Sequence, residues 1–104
     1  MQKPAKIINL RQEVWHCIKK GNYFDTRHAT DRKTERNISR TEILYVLQHG
    51  RHEKSKDRFQ ERYNAWNYAI RGKTVDKRDL RVIISFDENN MLIITAIDLD
   101  IYYG

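Results

Sequence analysis

Between residues 66 and 86 apolar side chains fall on alternate positions, a period that suits a strand buried on one face and not a helix. Trp66, Tyr68 and Ile70 share one side of the first run, with Asn67, Ala69 and Arg71 on the other. In the second run Leu80, Val82, Ile84 and Phe86 alternate with Arg81, Ile83 and Ser85. Met91 to Ile97 is mostly apolar on both sides, as in a central or well-covered strand. Asp87 to Asn90 has the composition of a compact hairpin turn, and Gly72 to Asp79 that of a longer one. Three strands joined in this way form an antiparallel meander. The segment 51–65, RHEKSKDRFQERYNA, keeps no clear period. It permits an edge strand near 52–56, then a loop or helical turn that anchors Phe59 and Tyr63.

The first half has a helical period instead. Pro4 suits a first helical turn, and Ile7, Leu10 (or Ile8), Val14 and Ile18 recur every three or four residues, with Trp15 widening the stripe. Lys19 and Lys20 before Gly21 fit a helix end, so the first helix is expected over 4–20. Asp25 or Thr26 can cap a short polar helix from about Arg27, which Asn37 can end in the left-handed conformation. Ser39-Arg40-Thr41-Glu42 is a capping box, flanked by Ile38 and Ile43 at staple positions. It predicts a helix that buries Ile43, Leu44, Val46 and Leu47 and stops at Gly50. Helices followed by a meander make a small α+β domain, with N-terminal helices packed on a C-terminal antiparallel sheet.

With 104 residues the chain supports one domain, 1–104, with a single core. Six Tyr, three Phe and two Trp supply the large apolar surfaces that a folded chain needs despite its 33% charged content. The longest apolar run, Met91 to Ile94, is far short of a bilayer span, so no membrane partner is expected. The N-terminus has no continuous apolar segment or cleavage-like site, and the expected location is cytoplasmic. The lone cysteine, Cys17, excludes an intramolecular disulfide and reads as core filler beside Trp15 and Ile18. Of the net charge of +6, all lies in residues 1–52, with eleven Lys/Arg against five acids; residues 53–104 hold nine of each. That asymmetry favours an anionic partner, RNA or DNA first and an acidic protein second.

No Gly-rich phosphate loop, HExxH or nucleophile elbow is present. Asp87, Glu88, Asp98 and Asp100 read as charges at strand ends, and neither a metal nor a cofactor is expected. Metal-free RNA cleavage needs a base for the 2′-hydroxyl, cations on the phosphorus oxygens and a proton for the leaving 5′-oxygen. His28, Arg32 and Arg36 are spaced by four and form one helical stripe with an imidazole and two guanidinium forks. Arg71 and Arg81 can face that stripe from the sheet if their strands are neighbours. The same residues can equally be ordinary parts of the fold, His28 bonding a loop and Arg32 pairing with Glu35. Tyr63, Trp66, Tyr68, Tyr102 and Tyr103 can stack on unpaired bases, although Trp66 and Tyr68 share a face with Ile70 and fit the core.

HATDRKTERNIS, then GRHE, YAIRGKT, DLRVIISF and MLIITAI, resembles the DUF4258 family over residues 25–99. The likeness sets His28-Ala29 on the family's HA, Arg32 on its spaced arginine, and Arg36 with Ile38-Ser39 on its R-G-I-S. Asn37 stands where the family has glycine, and asparagine keeps the left-handed turn feasible. The resemblance implies a distant similarity to RelE-like ribonuclease toxins: a helical front, a curved antiparallel sheet of RelE-like or BECR type, RNA as substrate and an acidic antitoxin as protein partner. The expectation is a metal-independent endoribonuclease of the toxin–antitoxin type. His28, Arg32, Arg36 and Arg81 would be its catalytic residues, and Arg27, Lys33, Arg40 and Arg71 its nucleic-acid contacts. The alternatives are a non-catalytic nucleic-acid-binding domain and an adaptor for an acidic partner.

Overall fold

Helix α1 (Leu10–Lys20) buries Leu10, Val14 and Cys17, one per turn on a single face. Gly21 ends it at φ 72°, in the left-handed conformation that glycine adopts without steric cost. The computed structural model describes residues 3–27, 38–88 and 90–100. Helix α2 (Arg40–His49) starts at the capping box: the Glu42 amide donates to the Ser39 hydroxyl at 3.1 Å, and the Ser39 amide donates to Glu42 Oε1 at 2.9 Å. Ile43, Val46 and Leu47 are buried and Leu44 partly so, as their period requires. The polar helix expected over 27–37 falls, beyond Arg27, outside the described residues.

The first helix is shorter than its period suggests. Residues 3–9 do not coil but cross the end of the sheet, because sheet side chains take up their backbone groups. The Trp66 indole donates to the Pro4 carbonyl at 2.8 Å, and the Ile7 amide donates to the Tyr68 hydroxyl at 3.0 Å. Leu10 therefore joins the core while Ile8 is 95% exposed. Trp15 also stands 45% exposed, outside the buried stripe.

The strands are β1 (Tyr23–Asp25), β2 (Arg51–His52), β3 (Arg58–Gln60), β4 (Ala65–Lys73), β5 (Asp79–Asp87) and β6 (Asn90–Asp98). The meander β4-β5-β6 is antiparallel, as the alternation predicts. The sheet is nevertheless mixed: β1 pairs in parallel with β6, in the order β1-β6-β5-β4-β2. A parallel partner needs a long crossover, and the chain between β1 and β6 supplies it. Covered by β1 on one edge and β5 on the other, β6 is a central strand. Its register shifts between Ile83 and Ile84 of β5, so buried positions run Met91, Ile93 and then Ala96 and Asp98. That bulge produces the two-sided apolar appearance of 91–97.

Strands β2 and β3 follow one another along β4. Between them the chain leaves the ladder in a short 3₁₀ turn, Lys54–Lys56. Phe59 is anchored edge-on against Trp66, with centroids 5.4 Å apart, whereas Tyr63 is 70% exposed. Both described α-helices pack on one face of the sheet, where Tyr68, Ile70, Leu80, Val82, Ile84, Met91 and Ile93 close the core. At the far end Arg78 joins Glu42 of α2 (2.7 Å) to Asp98 of β6 (2.9 Å). Asp98 is thus a buried ion-pair partner and not a solvated strand-end charge. No described helix is long and apolar enough to cross a membrane.

Candidate nucleic-acid interface

Two glycines bring the end of α2 against β4. A Cβ on Gly50 would lie 2.6 Å from the Arg71 carbonyl oxygen, and one on Gly72 would lie 2.9 Å from the Gly50 Cα. Beside this backbone contact opens a cleft of about 640 Å³. Arg11 of α1, His49 of α2, Arg51 of β2, and Arg71 and Lys73 of β4 line it, and Asp79 is the one acid among its described lining residues. His49 sits in the last turn of its helix, with its ring 4.4 Å from Tyr45. The cleft draws cations from three separate stretches of chain, which no local charge run announces.

Arg71 and Arg81 are direct register partners across β4 and β5, so their strands are neighbours. Side by side on one face, two guanidinium groups repel, and Glu53 lies between them. Its Oε1 accepts from Arg81 Nε at 2.7 Å, and its Oε2 accepts from Arg81 and from Arg71 at 3.3 Å each. Arg71 also donates twice to Asp79, at 2.7 and 3.2 Å. The Arg81 guanidinium pulls the Glu53 carboxyl below its ordinary value, with Arg71 adding to the effect. Arg71 likewise lowers Asp79, and these two carboxylates raise Arg71 in return. Arg81 is only 13% exposed and Arg71 32%, so Arg71 is the one that reaches the cleft.

Arg27 and Arg40 lie elsewhere, at the β1 edge around Asp25. Arg27 grips Asp25 through Nε and Nη2 at 2.9 and 2.8 Å and donates to the Ile38 carbonyl at 3.1 Å. At 14% exposure it closes the chain onto the start of α2. Its hydrogen bonds also hold the Asp25 carboxyl below the usual range. Arg40 approaches Asp25 at 3.9 Å but remains 65% exposed, open to an anion. His28, Arg32, Lys33 and Arg36 lie outside the described residues, as do Tyr102 and Tyr103.

A second polar cluster has almost no signature in the sequence. His52 Nε2 meets both oxygens of Asp57, at 2.8 and 3.0 Å. The Asp57 side chain is 1% exposed and also accepts from Lys6 Nζ and from the Ala69 amide, each at 3.0 Å. Where β2 and β3 break, the carboxylate takes the amide that a strand carbonyl would have taken. Only the pair H-x₄-D, in a stretch without hydrophobic period, marks it in the sequence. Among the described residues no three His, Cys, Asp or Glu side chains converge as metal ligands.

The family model described as a domain of unknown function, DUF4258, matches residues 26–98, and the chain belongs to that family. No curated protein and no solved structure matches it.

Proposed function

For this DUF4258 domain with a cationic cleft at its sheet edge, we propose that it binds RNA along the cleft and cleaves it without a metal, as an endoribonuclease of the toxin type. One observation carries the reading: Arg11, Arg51, Arg71 and Lys73 converge on one cleft with a single acid in its described lining. A phosphodiester backbone repeats one negative charge per nucleotide, and such a row of cations holds it by releasing counterions. Guanidinium forks match two phosphate oxygens at once and favour the dianionic charge of the phosphorane-like transition state. In the reaction a base takes the 2′-hydroxyl proton, the 2′-oxygen bonds to phosphorus, and the bond to the 5′-oxygen breaks. His28, with Arg32 and Arg36, is the proton-transfer centre expected from the sequence. The likeness to RelE-like toxins belongs to the same proposal.

The test is incubation of the purified chain with single-stranded and ribosome-associated RNA in a chelator. The expected products are a 2′,3′-cyclic phosphate and a 5′-hydroxyl. RNA left uncut by the wild-type chain ends the cleavage reading, and salt-dependent binding without cleavage leaves a nucleic-acid-binding domain.

A further inference from the structure

His52 occupies a second concavity of about 290 Å³, lined also by Arg11 and Lys54. Arg11 lines the cationic cleft as well, so the two recesses share one residue. Asp57, acting as a carboxylate, accepts the proton on His52 Nε2 and thereby fixes the tautomer, so Nδ1 carries the lone pair. Among the described residues no buried side-chain nitrogen or oxygen lacks a hydrogen-bond partner. Among the described residues Nδ1 has no hydrogen-bond partner, so it is not a fully buried nitrogen. The ring is otherwise held fast: its side chain is 13% exposed and packs edge-on against Tyr68 at 5.9 Å. A hydrogen-bonded imidazole, oriented by a buried carboxylate and lining a recess together with Arg11 and Lys54, has the form of a general base beside an anion.

Resting on the RNA-cleavage reading above, we infer that His52 is a proton-transfer residue of that reaction and Asp57 its positioning residue. A phosphodiester seated between Arg11 and Lys54 places its 2′-hydroxyl against His52 Nδ1. Nδ1 takes the hydroxyl proton as the 2′-oxygen forms its bond to phosphorus. The bond from phosphorus to the 5′-oxygen breaks, and that oxygen leaves with a proton from water in the open recess. The imidazolium then returns its proton to solvent, so no other reactant is consumed. Among the described residues, the charged and titratable groups around the ring include Asp57, Lys6, Arg11, Lys54 and Tyr68. Asp57 offsets the imidazolium charge as it forms, while Lys6 also pairs with Asp57 and limits that effect.

The test compares wild-type, His52→Ala and Asp57→Asn chains on a short single-stranded RNA in a chelator, with kcat/KM followed across pH. Wild-type kcat/KM is expected to fall as pH drops, in proportion to the remaining fraction of free base. Removing His52 lowers it about 10²- to 10⁴-fold and abolishes that limb. Added imidazole restores part of the rate to His52→Ala, which a purely structural histidine would not allow. Asp57→Asn lowers kcat more than it raises KM. A His52→Ala chain that cuts at the wild-type rate with the wild-type pH limb overturns the inference and leaves RNA cleavage standing. A folded His52→Ala chain that is slow but not rescued by imidazole overturns it too. A wild-type chain that cuts no RNA overturns both.

Discussion

Glu53→Gln should destabilise the fold and tighten RNA binding at the same time. Glu53 is the carboxylate shared by Arg71 and Arg81, through hydrogen bonds of 2.7, 3.3 and 3.3 Å. Breaking a fully buried pair costs about 3–5 kcal/mol, and an exposed one about 0–1 kcal/mol. Here Glu53 and Arg81 are 14% and 13% exposed, while Arg71 keeps Asp79, so the cost falls between these limits, at about 2 kcal/mol. In a domain of this size that lowers Tm by roughly 10 °C, and the urea midpoint moves at unchanged slope. On the binding side, a negative charge about 6 Å from a phosphate in water-like surroundings repels it by about 0.7 kcal/mol. Its removal tightens single-stranded RNA about threefold at low salt, and the gain fades as salt rises. Urea unfolding and fluorescence anisotropy read the two effects separately. A folded Glu53→Gln chain that binds RNA more weakly than wild type would refute the reasoning, because Glu53 would then be presenting the arginines and not competing for them.

The backbone contact under the cleft gives a second expectation. Gly50→Ala places a methyl 2.6 Å from two carbonyl oxygens, those of Arg71 and Val46, and should cost about 2–3 kcal/mol in urea unfolding. Ser39→Ala removes the hydroxyl that caps α2 and should cost about 1 kcal/mol by the same assay. Acid should destabilise the fold through four carboxylates held below their ordinary values. Glu42 is lowered first by the Ser39 amide, Glu53 by Arg81, Asp25 by Arg27 and Asp79 by Arg71. Because the folded values are the lower ones, this stability is complete above the unfolded values of 4.5 for Glu and 3.8 for Asp and is lost as pH falls through the folded values. Urea midpoints measured from about pH 6 down to about pH 2 should fall across that window.

The parts of the fold that were legible in the sequence are those with local causes. Ser39 and Glu42 are three residues apart and their mutual bonds need no other element, so the start of α2 follows from four letters. The faces of β4 and β5 follow from alternation. The start of α1 did not follow, because Pro4 and Ile7 satisfy a helical period while Trp66 and Tyr68, about sixty residues away, claim their backbone. Strand β1 is three residues long and parallel to β6, too short for a period and too distant for a turn signal. Residues 51–65 had no period because they form two short strands around an excursion. The site divides in the same way. Arg71 and Arg81 could be read as neighbours from their strands, but their common partner Glu53 could not, since it follows β2 where the chain leaves the ladder. Arg11 and His49 reached the cleft through the packing of α1 and α2, and His52 met Asp57 only because the ladder breaks between them.

The salt dependence of single-stranded RNA affinity, in wild type, Arg51→Ala and Lys73→Ala, tests the central claim most directly. Arg51 and Lys73 line the cleft and are exposed. Affinity should fall linearly on logarithmic axes as salt rises, and each substitution should make that slope shallower by about 0.7 for each phosphate left without its cation. Binding indifferent to salt, or variants with the wild-type slope, would show that the cleft does not hold the RNA backbone.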